Sequence, residues 1–381
     1  MTTPPPLPVW ADRVLLPLVC LAVALGCAGV VVWLVGQSPL QVMGVLLDGA
    51  FGSQRGFCYV LYYATTFVFT GLAVAVAFHG GLFNIGGEGQ AVLGGLATGL
   101  VALWLSPYLP AWLMLPLMVL AGALGGAVWA AVPGYLQAYR GSHIVITTIM
   151  FNFIAASVLV YVMVHLVRAS GSMAIESAPF AASAKLPSMQ TAMGWLGVGW
   201  VGSPLNLSFF LALAASVGVY LFLWRSRSGY QLRVVGTSPG AAQYAGIAVP
   251  RQVVASMALS GALAGLVGMN EISGVSGRLL LEFVSGAGFT GIGVALMGRN
   301  HPVGIVLASV LFGALFQGGA EVSFEVPGFG RDMVVMLQGF IVLFSGAMSY
   351  VIAPWVSRAL VGLRFLGGRL LPTTAKGHAG G

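Results

Sequence analysis

Asn84, Glu88 and Gln90 place two amides and a carboxylate in one glycine-rich stretch, Gly80–Gln90. Apolar sequence able to enter a membrane flanks the stretch on both sides. Glycine weakens helix, and amides and carboxylates are costly in hydrocarbon unless they line protein or water. A charged side chain at the centre of a spanning helix costs ~2.5–3.5 kcal/mol on insertion scales. The chemistry open to this set is hydrogen bonding along a polar path, or capping of a broken helix. Asn152, Asn270, Gln317 and Gln338 are further amides in or beside apolar runs. By our charge assignment, Glu88 is the one acid apart from outward-facing segments and the N-terminal tail.

A second candidate set lies in the middle of the chain, where Ser238-Pro239 opens a short segment ending near Gly246. Serine followed by proline is an N-cap and first-turn signature, and glycine closes helices in the left-handed region. Ala241 and Ala242 favour helix between them. The pattern predicts a helix of about two turns, flanked by arginines. It serves either as an ordinary interfacial helix or as a docking helix for a cytoplasmic partner, and Ser238, Ala241, Ala242, Tyr244 and Gly246 are its candidate contacts.

Catalytic signatures do not emerge. No H-E-x-x-H occurs, and the five histidines are scattered; His143 and His301, beside Arg140 and Arg299, read as boundary residues. Cys20, Cys27 and Cys58 show no metal-site spacing and read as packing residues. The only lysines, Lys185 and Lys376, do not follow a phosphate-binding glycine loop, so any ATP hydrolysis belongs to another subunit. No metal or cofactor is expected on this chain.

The elements that position these residues are membrane helices. The chain is 58% hydrophobic and 7% charged, with mean hydropathy +0.96. Such a surface cannot face water, and apolar runs of ~20 residues without strict alternation indicate helices and not a barrel. The fold class expected is an all-α integral membrane protein of about ten transmembrane helices. The runs cover about 14–36, 59–78, 90–105, 111–132, 143–166, 206–224, 253–272, 283–298, 302–319 and 333–352, the eighth being weak and rich in glycine. The first run reads as a retained helix because it is longer than the core of a cleaved leader. With both termini cytoplasmic, eleven of the sixteen basic residues fall inside and five outside. That asymmetry accounts for the net charge of +7 without nucleic acid. Residues 1–13 and 353–381 then form cytoplasmic tails, the second of them basic. Residues 14–352 form the membrane domain, 167–205 an outer loop and 225–252 an inner one. The glycine-rich breaks at 80–95 and 285–298 hint at broken helices in two related halves. Trp104, Tyr108 and Trp112 fit an interfacial aromatic belt.

Residues 81–90, GLFNIGGEGQ, carry a family resemblance. They are similar to the G-L-F-N-I-G-x-E-G-Q of permease subunits of bacterial ABC importers, in the nucleoside and simple-sugar branch of the branched-chain amino acid and sugar permease superfamily. Val145 to Asn152 resembles the branch's V-I-x-T-I-M-L-N, with Phe151 in place of Leu. Gly236 to Ile247 resembles its G-x-x-x-x-A-A-x-Y-A-G-I, and Phe289 to Gly304 its F-x-G-I-A-V-A-L-L-G segment. Ile144 departs from members that carry glutamate there. The resemblance spans about residues 55–350. It implies a permease in the inner membrane, paired with a second permease subunit. Two cytoplasmic ATPases using ATP and Mg would dock on Thr237–Gly246, and a periplasmic or lipid-anchored binding protein would deliver cargo. Nucleosides, purine nucleosides first, are the implied cargo; simple sugars, riboflavin-like compounds and branched-chain amino acids are alternatives. Asn84, Glu88, Gln90, Asn152 and Phe289 would shape or gate the translocation pathway. Glu88 is expected to hold the broken helices together, because a neutral nucleoside offers a carboxylate no charge to pair with. Readings from other classes are an ion-driven secondary transporter, disfavoured by the scarcity of intramembrane acids, and a membrane-embedded enzyme, for which no acid or metal cluster speaks.

Overall fold

The computed structural model describes residues 15–169, 171, 173–326, 331–346 and 351–358. Among them the regular secondary structure is helical, with two isolated β-bridges, Arg168 with Ser177 and Ser188 with Asn206. The tail 1–13 and most of 353–381 lie outside the described residues.

In order, the helices are α1 (Leu16–Leu34), α2 (Pro39–Phe51), α3 (Gln54–His79), α4 (Gly87–Leu105), α5 (Ala111–Arg140), α6 (Ile144–Val162), α7 (Met189–Trp195), α8 (Ser208–Arg225), α9 (Arg227–Thr237), α10 (Pro239–Tyr244), α11 (Val249–Gly265), α12 (Ala287–Met297), α13 (Pro302–Glu325) and α14 (Arg331–Gly346). Among the described residues seven helical stretches are long and apolar enough to cross a membrane, α6 continued to Val167 and α11 continued to Ser276 among them, and eight spans result if α1 and α2, bent by 119° at their junction, count as one. Ten runs were expected. The difference lies where the sequence carries a break. Ser38 caps α2 and Pro39 starts it, so the chain turns there. The glycine-rich eighth run yields α12, eleven residues and about 16 Å long, half of the ~30 Å hydrocarbon core. The last run, 333–352, yields the 16-residue α14, beyond which 347–350 are not described.

The core is built around α3. Its Ala-Thr-Thr-Phe-Val-Phe-Thr-Gly-Leu-Ala-Val-Ala-Val-Ala sequence is apolar on all sides, and helices of that kind are buried. Two of its threonines return their hydroxyls to the helix, Thr65 to the Leu61 carbonyl at 2.8 Å and Thr70 to the Thr66 carbonyl at 3.2 Å. Phe67, Phe69 and Leu72 meet Phe312 of α13 in the centre. On the other side α4, α5 and α11 approach backbone to backbone. Gly122 and Gly126 of α5 face Gly261 and Gly265 of α11, and a Cβ on Gly265 would stand 2.1 Å from the Gly122 carbonyl oxygen. Lipid tails give helices no hydrophobic reason to associate, so close packing of small residues does it.

Residues 225–252, expected as a loop with one short helix, hold two. Ser226 accepts a hydrogen bond from the Gly229 N–H at 3.0 Å and starts α9. The loop 167–205 is strapped across the far end of α11. Phe180 N–H donates to Gly277 O at 2.8 Å, Ser273 donates to Ala184 O at 2.7 Å, and Arg278 pairs with Glu176 at 2.7 Å. There α11 loosens into π-helical Met269–Ser276.

Candidate functional site

The glycine-rich stretch leaves α3 at Gly80, turns at Gly81 (φ +75°) and runs extended into α4. Asn84, fully buried, organises it. Its Oδ1 accepts from the Gly86 N–H at 2.8 Å, and its Nδ2 donates to Gln90 Oε1 at 2.9 Å and to Ser260 Oγ at 2.8 Å. Gln90 returns a bond to Asn84 at 3.1 Å. Ser260 passes its proton to the Ala73 carbonyl at 2.6 Å, tying the break to α3 and α11 together. Asn152 reaches in from α6, accepting from the Gly89 N–H at 2.9 Å and donating to Ile85 O at 3.0 Å. Three of the predicted residues therefore hold one non-helical backbone segment whose groups would otherwise lack partners in the membrane.

Glu88 sits in the first turn of α4 and points at the start of α12. Its two carboxylate oxygens accept from the Gly286 and Gly288 N–H groups, each at 2.8 Å. Ser285 (φ 49°) and Gly286 (φ 82°) are both left-handed, which swings those N–H groups into line. The two helix starts touch, since a Cβ on Gly288 would lie 2.2 Å from the Glu88 nitrogen. A carboxylate at a helix N-terminus is favoured by unpaired N–H groups and by the dipole. Here one helix caps another across nearly two hundred residues.

Phe289, on the first turn of α12, lies 48% exposed in the wall of a cavity of about 750 Å³. Helices α3, α12, α13 and α14 and the end of α11 surround it. Tyr63, Phe67, Phe283 and Phe316 add further rings. Tyr62, Thr66 and Glu271 form one polar side of it, and Ser285, Thr290 and Ser323 also line it. Glu271 accepts from the Tyr62 hydroxyl and, at 2.6 Å, from that of Thr66. Asn270 beside it is fully bonded in the core, to Thr66 Oγ1 at 2.8 Å, to Ser208 Oγ at 2.8 Å and to Asn206 at 3.0 Å. Asn84 and Gln90 do not line this cavity.

The sequence reading did not single out Glu271, counting it only among the acids of the outward-facing segments. This residue belongs to the π-helical end of α11 and borders the cavity. Its place within the run 253–272, next to the amide Asn270, was the signal. Tyr62 and Thr66 gave none, since both sit in a continuous apolar helix. The ring of His301 packs 5.0 Å from that of Trp224, which lies edge-on to His79 at 5.3 Å.

The second set forms the short helix its capping pattern predicts. Ser238 Oγ accepts from Ala241 N–H at 3.4 Å, Pro239 is the first residue, and Gly246 is left-handed at φ +75°. Ala242 is buried against the protein, whereas Tyr244 is 98% exposed. This set stands apart from the cavity, yet its base reaches the glycine-rich break. A Cβ on Gly236, at the end of α9, would lie 2.2 Å from His79 O and 2.7 Å from Gly81 N.

Residues 56–346 match the family described as branched-chain amino acid transport system / permease component. The chain is 34% identical over 355 residues to a glucose ABC transporter permease of Haloferax volcanii, covering 92% of this chain and 90% of that protein. It is 34% identical over 344 residues to a guanosine ABC transporter permease of Bacillus subtilis (90% and 95%). It is 31% identical over 350 residues to a nucleoside ABC transporter permease of Lactococcus lactis subsp. cremoris (91% and 94%). No solved structure matches it significantly. Apolar helices wound around buried polar breaks, and a family match over three quarters of the sequence, lead to one conclusion: the chain belongs to the family described as branched-chain amino acid transport system / permease component and is a membrane transport subunit.

Proposed function

We propose that this chain is the nucleoside-conducting permease of an ATP-driven importer in the inner membrane, with purine nucleosides as cargo. The observation that carries the reading is the cavity of about 750 Å³, ringed with aromatic side chains and closed on one side by Tyr62, Thr66 and Glu271. Its size and apolar-aromatic lining suit a small planar ligand. Relatives named for guanosine and nucleoside transport support this cargo.

In this reading Phe289 lines the passage, and Asn84, Glu88, Gln90 and Asn152 shape it by fixing the broken segments around it. The meeting of the α4 and α12 starts supports two related halves with broken helices. Counting α1 with α2 as one crossing, α12 with the irregular stretch before it as a broken one, and α14 as another brings the total to ten. Both termini are then cytoplasmic, the arrangement that puts eleven of sixteen basic residues inside. The exposed α10 docks a cytoplasmic ATPase through Ser238, Ala241, Tyr244 and Gly246, with Ala242 anchoring it. ATP and Mg are consumed in that partner. A second permease subunit and a substrate-binding protein complete the assembly.

Proteoliposomes carrying the complete transporter test the reading. ATP-dependent uptake of labelled guanosine is the expected result. Uptake of glucose without guanosine, the outcome the Haloferax relative favours, would replace the cargo and leave the importer standing.

A further inference from the structure

The hydroxyls of Tyr62, Thr66, Ser285, Thr290 and Ser323 on the cavity wall have already given away their protons. Tyr62 and Thr66 donate to Glu271. Ser285 donates to Glu282 O at 2.6 Å, Thr290 to Gly286 O at 3.3 Å and Ser323 to Gly319 O at 3.0 Å. The start of α12, normally a source of free N–H donors, is spent as well. Gly286 and Gly288 donate to Glu88, Ala287 to Val284 O at 3.0 Å and Phe289 to Gly286 O at 3.1 Å. What these groups still offer is lone pairs. An ionised carboxylate has about four acceptor positions. On Glu271, Oε1 takes Thr66 and, at 3.3 Å, Asn270, while Oε2 takes Tyr62 alone. One position on Oε2 is unspent, in a residue that borders the cavity opposite aromatic rings.

We propose that this wall is an acceptor site for uncharged planar heterocycles that present an N–H edge, with Glu271 as the specificity-determining residue. The proposal rests on the reading of the cavity as the passage for nucleosides. The rings of Phe283, Phe289 and Phe316 take the plane of the base, and Oε2 of Glu271 accepts from its edge. A phosphate, which needs donors, meets none from these groups, so the site favours the nucleoside over its phosphorylated form.

The test uses proteoliposomes holding the complete transporter and compares initial uptake of guanosine with that of purine riboside. The two share sugar and ring system, but purine riboside has no donor on its six-membered ring. The binding protein is the same in every preparation, so a change in the ratio between variants reports the permease. E271Q is expected to lower the guanosine to purine riboside ratio by ~10-fold, with purine riboside uptake held within about twofold. Y62F, which frees a second position on Oε2, is expected to keep the ratio or raise it. If E271Q leaves the ratio at its wild-type value, whether or not both rates fall, Glu271 is a structural residue and the proposal is wrong. Collapse of the ratio in Y62F overturns it too, and Y62F alone decides the matter if E271Q does not assemble. A wild-type transporter that takes up glucose but neither nucleoside overturns the cargo reading and this site with it.

Discussion

At the scale of single residues, two carboxylates meet the membrane on different terms. Both oxygens of Glu88 are committed to backbone N–H groups of α12. Hydrogen bonds to a charged group are worth about 1.5–3 kcal/mol each, and their loss leaves two helix-start donors without partners. Glu88→Ala is therefore expected to lower the melting temperature of the purified permease. It should also reduce uptake of guanosine and purine riboside by the same factor, because a cap has no view of the cargo. A shift in the ratio between the two would show instead that Glu88 touches what passes. Asn84 illustrates why such residues persist in an apolar chain. It serves Gly86, Gln90 and Ser260 at once, so the polar cost of the break is confined to a closed set of hydrogen bonds.

Among the elements, α10 and the break it reaches form the most consequential pair. Tyr244 is almost wholly exposed and makes no contribution to the permease core. Tyr244→Asp should leave expression and melting temperature unchanged while abolishing co-purification of the ATPase and ATP-coupled uptake. Intact coupling in that variant would remove α10 from the docking surface. The backbone contact between Gly236 and Gly81 gives a displacement of α10 a short route to the stretch that carries Asn84. The helix itself was legible from Ser238, Pro239 and Gly246, since capping is local chemistry. Helix α9 was not, because its apolar positions find a face only once Leu232 and Val235 are buried against the bundle.

For the molecule as a whole, the distribution of charge makes the sharpest claim. Lys185 and Ser228 are both exposed, and the proposed topology puts them on opposite sides of the membrane. In a background lacking Cys20, Cys27 and Cys58, K185C is expected to react with an impermeant maleimide in intact cells freed of their outer barrier. S228C should react only after permeabilisation. Labelling of S228C from outside would reverse the orientation.

Composition by itself determined that the chain enters a membrane as helices, because hydrocarbon tolerates no other open arrangement of 58% apolar sequence without strict alternation. Residue type determined that Gly80–Gln90 had a task, since amides and a carboxylate are not carried into lipid without partners. Tertiary structure alone decided who those partners are. Glu88 and Gly286 stand far apart in sequence, as do Tyr62 and Glu271, and no periodicity along one strand of text encodes the meeting of two helices. It also decided the number of full-length helices, because a glycine-rich apolar run can be a span or half of one, and only the neighbours that fill the remaining depth settle which.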